Sequence, residues 1–381
     1  MPENSTGVPE AARQYMRKRK GLLQVRVLTW FALPALFLWS GAATYISDSA
    51  TAITHTLYLS VAVEWLVYYV AMAIVGIPIS ILQYRTDRKF HLAQGTAKRR
   101  LVDAAKANGL ALIVGLTVIE AIFFSMNLRG EHTWVLAAVL ISAIYAAFVY
   151  LLPAMLPLFY RLAPLSNESL RQRLMSLAKR AGVQVDDIYE WQISSRTRRA
   201  NAMVAGWGKS RKVILTDTMV QNLSEEEIEV LIAHEFGHCA HHDVAKRVAL
   251  RAALFVPVLW GVQAALLYQL VPGCERGWAD PSIVPVVWTL WLILSIYGNV
   301  VLVALARRQE RAADRYAWEL VPSVEPFISG MQKLTAQNLI AYEKSSEWQH
   351  SHPATPERIA AAERFARERR QVEQTPAVVV A

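Results

Sequence analysis

Six stretches of apolar residues, near 25–46, 57–82, 107–128, 134–152, 248–271 and 283–306, decide most of what this chain can become. Each approaches or exceeds the roughly twenty residues that a helix needs to cross a bilayer. Only helices and closed barrels satisfy their own backbone groups there. With 381 residues, 54% of them apolar, the chain therefore reads as mainly α, a polytopic α-helical membrane protein, rather than as two or three soluble domains. Trp30, Tyr84, Trp134, Tyr150 and Trp278 fall at or near span ends, where interfacial anchors sit. Residues 28–39, with a basic stretch before them and Ser40-Gly41-Ala42-Ala43 after, could pass for a cleavable secretory signal. The apolarity continues to Ile46, however, and the small-residue site lacks the usual spacing, so the stretch is kept as a span.

A net charge of +9 could point to nucleic acid, but no aromatic-basic pattern accompanies it. The basic residues cluster beside the spans instead. They occupy 13–26 before the first, 85–100 after the second, Arg161 after the fourth, 246–251 at the start of the fifth and Arg307-Arg308 after the sixth. The loops on the other side, 47–56, 129–133 and 272–282, carry little charge. The positive-inside rule then places both termini in the cytoplasm. Cys239 and Cys274 fall on opposite sides of the membrane in this topology and form no disulfide. The partners expected are a lipid bilayer and a polypeptide, not nucleic acid.

Chemistry concentrates in His234-Glu235-Phe236-Gly237-His238. Residues 224–241 read as a helix: Ser224 is an N-cap, Glu227 completes a capping box, and Ile228, Leu231, Ile232 and Phe236 form an apolar stripe. Ligands four apart share a helical face, so His234 and His238 can hold one Zn2+ ion. Glu235 beside them is placed to act as general base, taking a proton from zinc-activated water and returning it to a leaving amine. A third ligand is needed. Downstream, Glu310 and Asp314 again lie four apart on a predicted helix. Alone, such a pair is usually a solvated charged face. Beside the histidines, Glu310 is assigned as third ligand and Asp314 as the carboxylate that accepts the free N–H of a liganding imidazole. A design with the third ligand shortly after the helix fails, because its position is Val244. His241 and His242 read as solvated helix-end residues, since a tetrahedral site with three protein ligands needs an open fourth position.

The chain divides into a basic cytoplasmic tail (1–21), a block of four spans (22–160), a zinc metallopeptidase domain in two pieces (161–246 and 307–365) around two further spans (247–306), and a C-terminal tail (366–381). The stretch 1–10 is polar and reads as disordered. Within the soluble insert, 168–181 has helical periodicity, and 187–193, 201–205 and 212–216 read as strands, the last two joined by a turn at 206–210. A strand just before the zinc helix can hold an extended substrate by backbone pairing or simply cover the helix. Glu64 and Glu120 lie inside spans, where a carboxylate is costly. They either line a polar cavity leading to the zinc or take a protonated or hydrogen-bonded packing role. Pro78 and Pro257 read as kinks.

The assembled pattern resembles the CAAX prenyl protease type 1 family of integral-membrane zinc metallopeptidases. The resemblance runs from about residue 78 to 358. It rests on 78–106, including Tyr84-Arg85-Thr86-Asp87-Arg88-Lys89-Phe90, on the junction 156–165, and on Asn201-Ala202-Met203-Val204-Ala205-Gly206. It continues through Lys212-Val213-Ile214-Leu215-Thr216-Asp217-Thr218 and Ser351-His352-Pro353 with Arg358. It implies a helical barrel around a water-filled chamber, with a small α+β, gluzincin-like catalytic domain. Zinc would sit on His234, His238 and Glu310 near the cytoplasmic face, with Glu235 as base. Asn201 and Ala202 would pair with substrate backbone. His352 and Arg358 would stand near the site, where either could stabilise the oxyanion. The sequence departs from the pattern in three places: eukaryotic members carry one more span, the outer loop before the last span is short here, and His91 stands where Gly is expected. These departures bear on chamber size and hence on substrate.

The reading is a zinc metalloendopeptidase acting on membrane-associated or prenylated CAAX-type polypeptides, in a multi-pass chain whose Ala- and Arg-rich composition suggests a bacterial inner membrane. The alternatives are a quality-control protease resembling the bacterial heat-shock membrane metalloproteases, and an inactive membrane scaffold. Intact Glu235 argues against the scaffold. A transporter is disfavoured, because the spans show no repeat.

Overall fold

Gly41 interrupts the first apolar stretch. The computed structural model, which describes residues 10–128, 132–268, 279–340 and 352–374, ends α1 (Glu10–Trp39) there and starts α2 (Ala42–Thr54) at once. Gly41 adopts φ 73°, a left-handed conformation open to a residue without Cβ. At 13 residues, α2 is too short to span. The expected first span is thus a helix and part of a second. Then come α3 (Leu57–Lys89), α4 (Ala97–Asn127) and α5 (Thr133–Phe159). With α9 (Asp243–Leu267) and α10 (Val284–Leu320), four of these five give, among the described residues, six helices long and apolar enough to cross a membrane. Leu66, Ile74 and Ile77 on α3, Ile113 on α4, Val139 on α5 and Trp260 on α9 are exposed. An apolar surface of this extent calls for lipid. Trp65, Tyr68, Phe123, Ile141, Phe255 and Val287 pack between the helices.

Two helices reach well past the bilayer. α10 has 37 residues, or about 55 Å at 1.5 Å per residue, against a hydrocarbon core of roughly 30 Å. Its last turns enter the catalytic part. At the other end, α1 begins at Glu10, so most of the expected tail is helix. Tyr15 there is buried, and its hydroxyl donates to Asp87 at 2.8 Å while accepting from Arg199.

The catalytic part contains β1 (Leu162–Pro164), α6 (Glu168–Arg180), β2 (Asp187–Trp191), β3 (Ala202–Ala205), β4 (Lys212–Thr216), α7 (Asp217–Asn222), α8 (Glu225–Ala240), α11 (Glu325–Gln337) and α12 (Thr355–Gln374). The sheet order is β1-β2-β4-β3. β2 and β4 run parallel, while β3 pairs antiparallel with β4 in the register Ala202↔Leu215 to Ala205↔Lys212. β3 is therefore an edge. The three-residue β1 carries no periodicity to read. Leu174, Leu177, Ile188, Val213, Leu215, Ile232, Phe236 and Phe327 form the core beneath the sheet.

The loop after α3 joins the two parts by backbone pairing. Gln94 N–H donates to Arg196 O at 2.7 Å and Arg198 N–H to Leu92 O at 3.1 Å. His91, where glycine is expected, adopts φ 56°, the left-handed conformation at a cost of about 1–2 kcal/mol for a residue with a side chain. Cys239 is a free thiol. Cys274, Trp278, Ser351 and the expected polar tail lie outside the described residues.

Candidate metal centre and active site

α8 is fixed before any ligand is considered. Ser224 accepts from Glu227 N–H at 3.3 Å and Glu227 Oε2 accepts from Ser224 N–H at 2.8 Å, a complete capping box. Glu229 takes ion pairs from both Arg173 and Arg180 of α6, at 2.6 and 2.5 Å. Glu227 also accepts from Ser329 and Lys333 of α11. Phe236 is fully buried in the core, so the helix cannot rotate without exposing it.

Gly237 explains how the two halves of the site meet. A Cβ at this position would fall 2.9 Å from Ala313 Cα, so α8 and α10 cross at a distance only glycine permits. That crossing sets His234 and His238 opposite Glu310 and Asp314. His234 Nε2 lies 3.3 Å from Glu310 Oε2, and His238 Nε2 lies 3.3 Å from Glu310 Oε1. The two rings stand at 84° to each other with centroids 4.8 Å apart.

The opposite nitrogens are both held by carboxylates. His234 Nδ1 is 2.8 Å from Asp314 Oδ1, and His238 Nδ1 is 2.8 Å from Asp243 Oδ2. Each carboxylate orients its ring so that Nε2 faces inward. Asp314 was expected from sequence to support one imidazole, and it faces His234. Asp243 was not singled out. It opens α9 directly after His242, whose φ of 54° turns the chain back on α8, and a five-residue spacing from His238 across a helix break is no recognisable motif. His241 lies edge-on to Tyr316 and His242 is exposed.

The donor set fits a tetrahedral cation. Ligand atoms of His234, His238 and Glu310 all lie within 4.8 Å of one another. Two ligands about 2.0–2.1 Å from zinc at a tetrahedral angle stand about 3.3–3.4 Å apart, which matches the 3.3 Å imidazole-carboxylate distances. Glu310 Oε2 is buried and accepts no hydrogen bond of acceptable direction, although His352 Nδ1 approaches it to 2.7 Å. A buried acceptor ringed by nitrogen atoms yet unsatisfied suits a cation ligand.

Burial disfavours charge on both partners, but the contacts outweigh it. The His234 imidazolium is pushed down by burial and more strongly up by Asp314 and Glu310, reaching about 9. Burial raises the Glu310 carboxyl, and the close approach of the His234, His238 and His352 imidazoles holds it far below the carboxylate range. Asp314 is likewise lowered, against burial, by Arg358 and His234.

The remaining expected residues fall at three places. Glu235 is half-buried and lines, with His238, a cavity of about 160 Å³ whose far wall is Val204, Gly206 and Trp207 of the β3–β4 hairpin. His352 is more than half exposed on the open side of Glu310. Arg358 is buried on the opposite side: its Nε and Nη2 grip Asp314 at 2.8 and 2.5 Å, with Nη2 3.4 Å from His234 Nδ1. Asn201 precedes β3, with its backbone N–H and C=O bonded to Thr216, and Ala202 begins the edge strand, which packs on α8.

A family model described as peptidase family M48 matches residues 164–366, just over half of the chain. The chain belongs to peptidase family M48. A second model, CAAX prenyl protease N-terminal, five membrane helices, matches residues 7–161, where this structure has five helices and four long enough to span. The chain is 25% identical to the uncharacterized metalloprotease YhfN of Bacillus subtilis (strain 168), over 93% of this chain and 85% of that one. It is 27% identical to a CAAX prenyl protease 1 homolog of Dictyostelium discoideum, over 75% and 68%. Its fold is that of the S. mikatae Ste24p crystal structure, with a TM-score of 0.78, 21% identity and coverage of 92% and 87%. This M48 protein is thus an integral, multi-pass membrane metalloendopeptidase. Its family implies a metal and a peptide substrate.

Proposed function

We propose that the metal is zinc, held by His234, His238 and Glu310, and that the chain hydrolyses membrane-associated or prenylated CAAX-type polypeptides at the cytoplasmic face of a bacterial inner membrane. The observation that carries the reading is the pair of imidazoles with Nδ1 locked on Asp314 and Asp243 and Nε2 turned on one carboxylate. When bound, zinc supplies Lewis acidity that polarises a carbonyl and makes water nucleophilic near neutral pH. Glu235 takes the proton from the attacking water and passes it to the leaving nitrogen. An extended substrate adds to the edge of β3 near Asn201 and Ala202, bringing the scissile carbonyl over Glu235. His352, half out in solvent beside Glu310, donates to the oxyanion. Arg358 is a positioning residue, since its Nε and Nη2 are held by Asp314.

The prenylated substrate class is supported by the names of several relatives, among them the CAAX prenyl protease 1 homolog of Dictyostelium discoideum. The cytoplasmic orientation is supported by the basic residues at the catalytic ends of the spans, and the bacterial membrane by the Bacillus relative. Nucleic acid is not among the proposed partners. The domain division follows the same lines: membrane helices to about 160, then a catalytic unit split around the last two spans.

The test compares the detergent-purified protein with Glu235→Gln on matched prenylated and unprenylated peptides. Cleavage by the parent, faster on the prenylated peptide and lost in the zinc-retaining variant, is expected. Equal cleavage by Glu235→Gln would overturn the mechanism, and equal rates on both peptides the substrate class.

A further inference from the structure

Two cavities away from the metal centre adjoin each other and differ in character. The first, of about 580 Å³, lies between α3, α4, α5 and α10 and is lined almost wholly by apolar side chains, among them Trp65, Ala111, Phe148, Trp288 and Trp291. Along α4 it runs from Ala107 to Ile122, about 22 Å of helix, more than the roughly 15 Å half-thickness of a hydrocarbon core. The second, of about 520 Å³, lies where α4 begins and holds Arg26, Arg99, Arg100 and Arg196 against a single carboxylate, Asp103. Tyr160 lines both, and Ala104 in the one stands one turn from Ala107 in the other.

The basic cavity is short of negative charge. Arg196 pairs with Asp103 at 3.0 Å, and its Nε is buried without a partner. Among the described residues Arg26 bonds the neutral Gln83 and Ser80, Arg99 bonds Ser195, and Arg100 lies 4.2 Å above the Tyr84 ring. The N-terminus of α4, capped by Thr96, adds the positive end of a 31-residue helix.

We propose that these cavities form one site for an anionic glycerophospholipid, with an acyl chain among the tryptophans and the phosphate among Arg26, Arg99 and Arg100. The charge complementarity chooses an anionic head. The position chooses a lipid over a substrate. In a prenylated C-a-a-X terminus the lipid is carried by the Cys itself, so a scissile bond close to it would lie near Tyr160, yet neither cavity contains a residue of the metal centre. The site also bridges α1, α3 and α4 to the 193–197 segment of the catalytic part, so a bound lipid ties the two parts together. The inference stands independently of the substrate proposed above.

Phosphatidylglycerol and phosphatidylcholine with brominated acyl chains, titrated separately into the detergent-solubilised full chain, test it, because Trp65, Trp288 and Trp291 are in quenching reach of the chain. Saturable quenching at least tenfold stronger for phosphatidylglycerol is expected. Arg99→Gln with Arg100→Gln, both exposed, should weaken phosphatidylglycerol roughly thirty-fold and leave phosphatidylcholine unchanged. Ala111→Phe, which fills the apolar cavity, should reduce quenching by both lipids. Metal content and circular dichroism matching the parent's are expected of both variants, and their loss in both would overturn the assignment of these residues to a lipid site apart from the core. Equal quenching by the two lipids, or full phosphatidylglycerol binding in the double arginine variant, would overturn the proposal. So would displacement of the lipid by inorganic phosphate alone, marking a phosphate site, or by a farnesylated peptide, marking a substrate site.

Discussion

Glu310 and Glu64 are both buried carboxylates on long membrane helices, and both have oxygens that accept no hydrogen bond. Their surroundings differ. Around Glu310 stand His234, His238 and His352, all with ring nitrogens within 3.3 Å. Glu64, by contrast, has both oxygens unsatisfied on a helix whose Val61, Trp65 and Tyr68 join the apolar cluster between the spans, and the Tyr68 hydroxyl one turn on is unsatisfied too. Elsewhere in the catalytic part buried acids are saturated: Asp217 accepts from Ile193, Ser194 and Thr218, and Glu229 from two arginines. One orphaned oxygen within such a saturated set fits a cation position. The same orphan among apolar side chains marks only a polar group that packing tolerates at a cost.

Substitutions can break this contrast. The largest effect is expected from Glu310→Gln, which removes a ligand charge: metal retention and cleavage should both be lost, as read by metal content after dialysis. Gly237→Ala comes next. Its new methyl meets backbone on α10 and should cost about 1–3 kcal/mol from overpacking, with metal loss as the helices separate. Normal metal content in that variant would show that the crossing does not set the site.

Asp243→Asn and Asp314→Asn should each weaken metal affinity ten- to a hundred-fold through the imidazole they orient, measured by competition with a chelator. Asp243 tests the structure more sharply, because nothing in the sequence pointed to it. What was legible was local: the capping box, the apolar stripe of α8 and the four-residue spacings of His234 to His238 and Glu310 to Asp314 all follow helical geometry. Three features were not. Asp243 depends on a left-handed turn at His242. Gly237 matters only because α10 crosses at that point. Arg358 is distant in sequence from Asp314, and its grip is a tertiary event. The same limit governed the membrane part, where apolar length found the spans but could not show that Gly41 would divide the first.

A smaller, pH-dependent effect follows from His234, raised from its ordinary 6.5 to about 9 in the metal-free protein. Folding then favours the proton-bound form, so metal-free stability is fully present below about 6.5 and is lost as pH rises through about 9. Metal needs the neutral imidazole, so its affinity should rise over the same window. Melting temperatures with and without zinc, diverging as pH increases, would show it; a constant gap would not fit. The smallest effect is expected at Glu64→Leu, which removes no hydrogen bond and should leave metal content intact, with stability within about 1 kcal/mol. A large loss of cleavage there would place Glu64 in the reaction path and close the contrast with Glu310.

The most direct measurement is X-ray absorption spectroscopy on the zinc-loaded, detergent-purified protein. One zinc per chain bound by two imidazole nitrogens and carboxylate oxygen at about 2.0–2.1 Å is expected, with one imidazole lost in His238→Ala. Sulfur at about 2.3 Å, which would implicate Cys239, or a spectrum unchanged in His238→Ala, would contradict it.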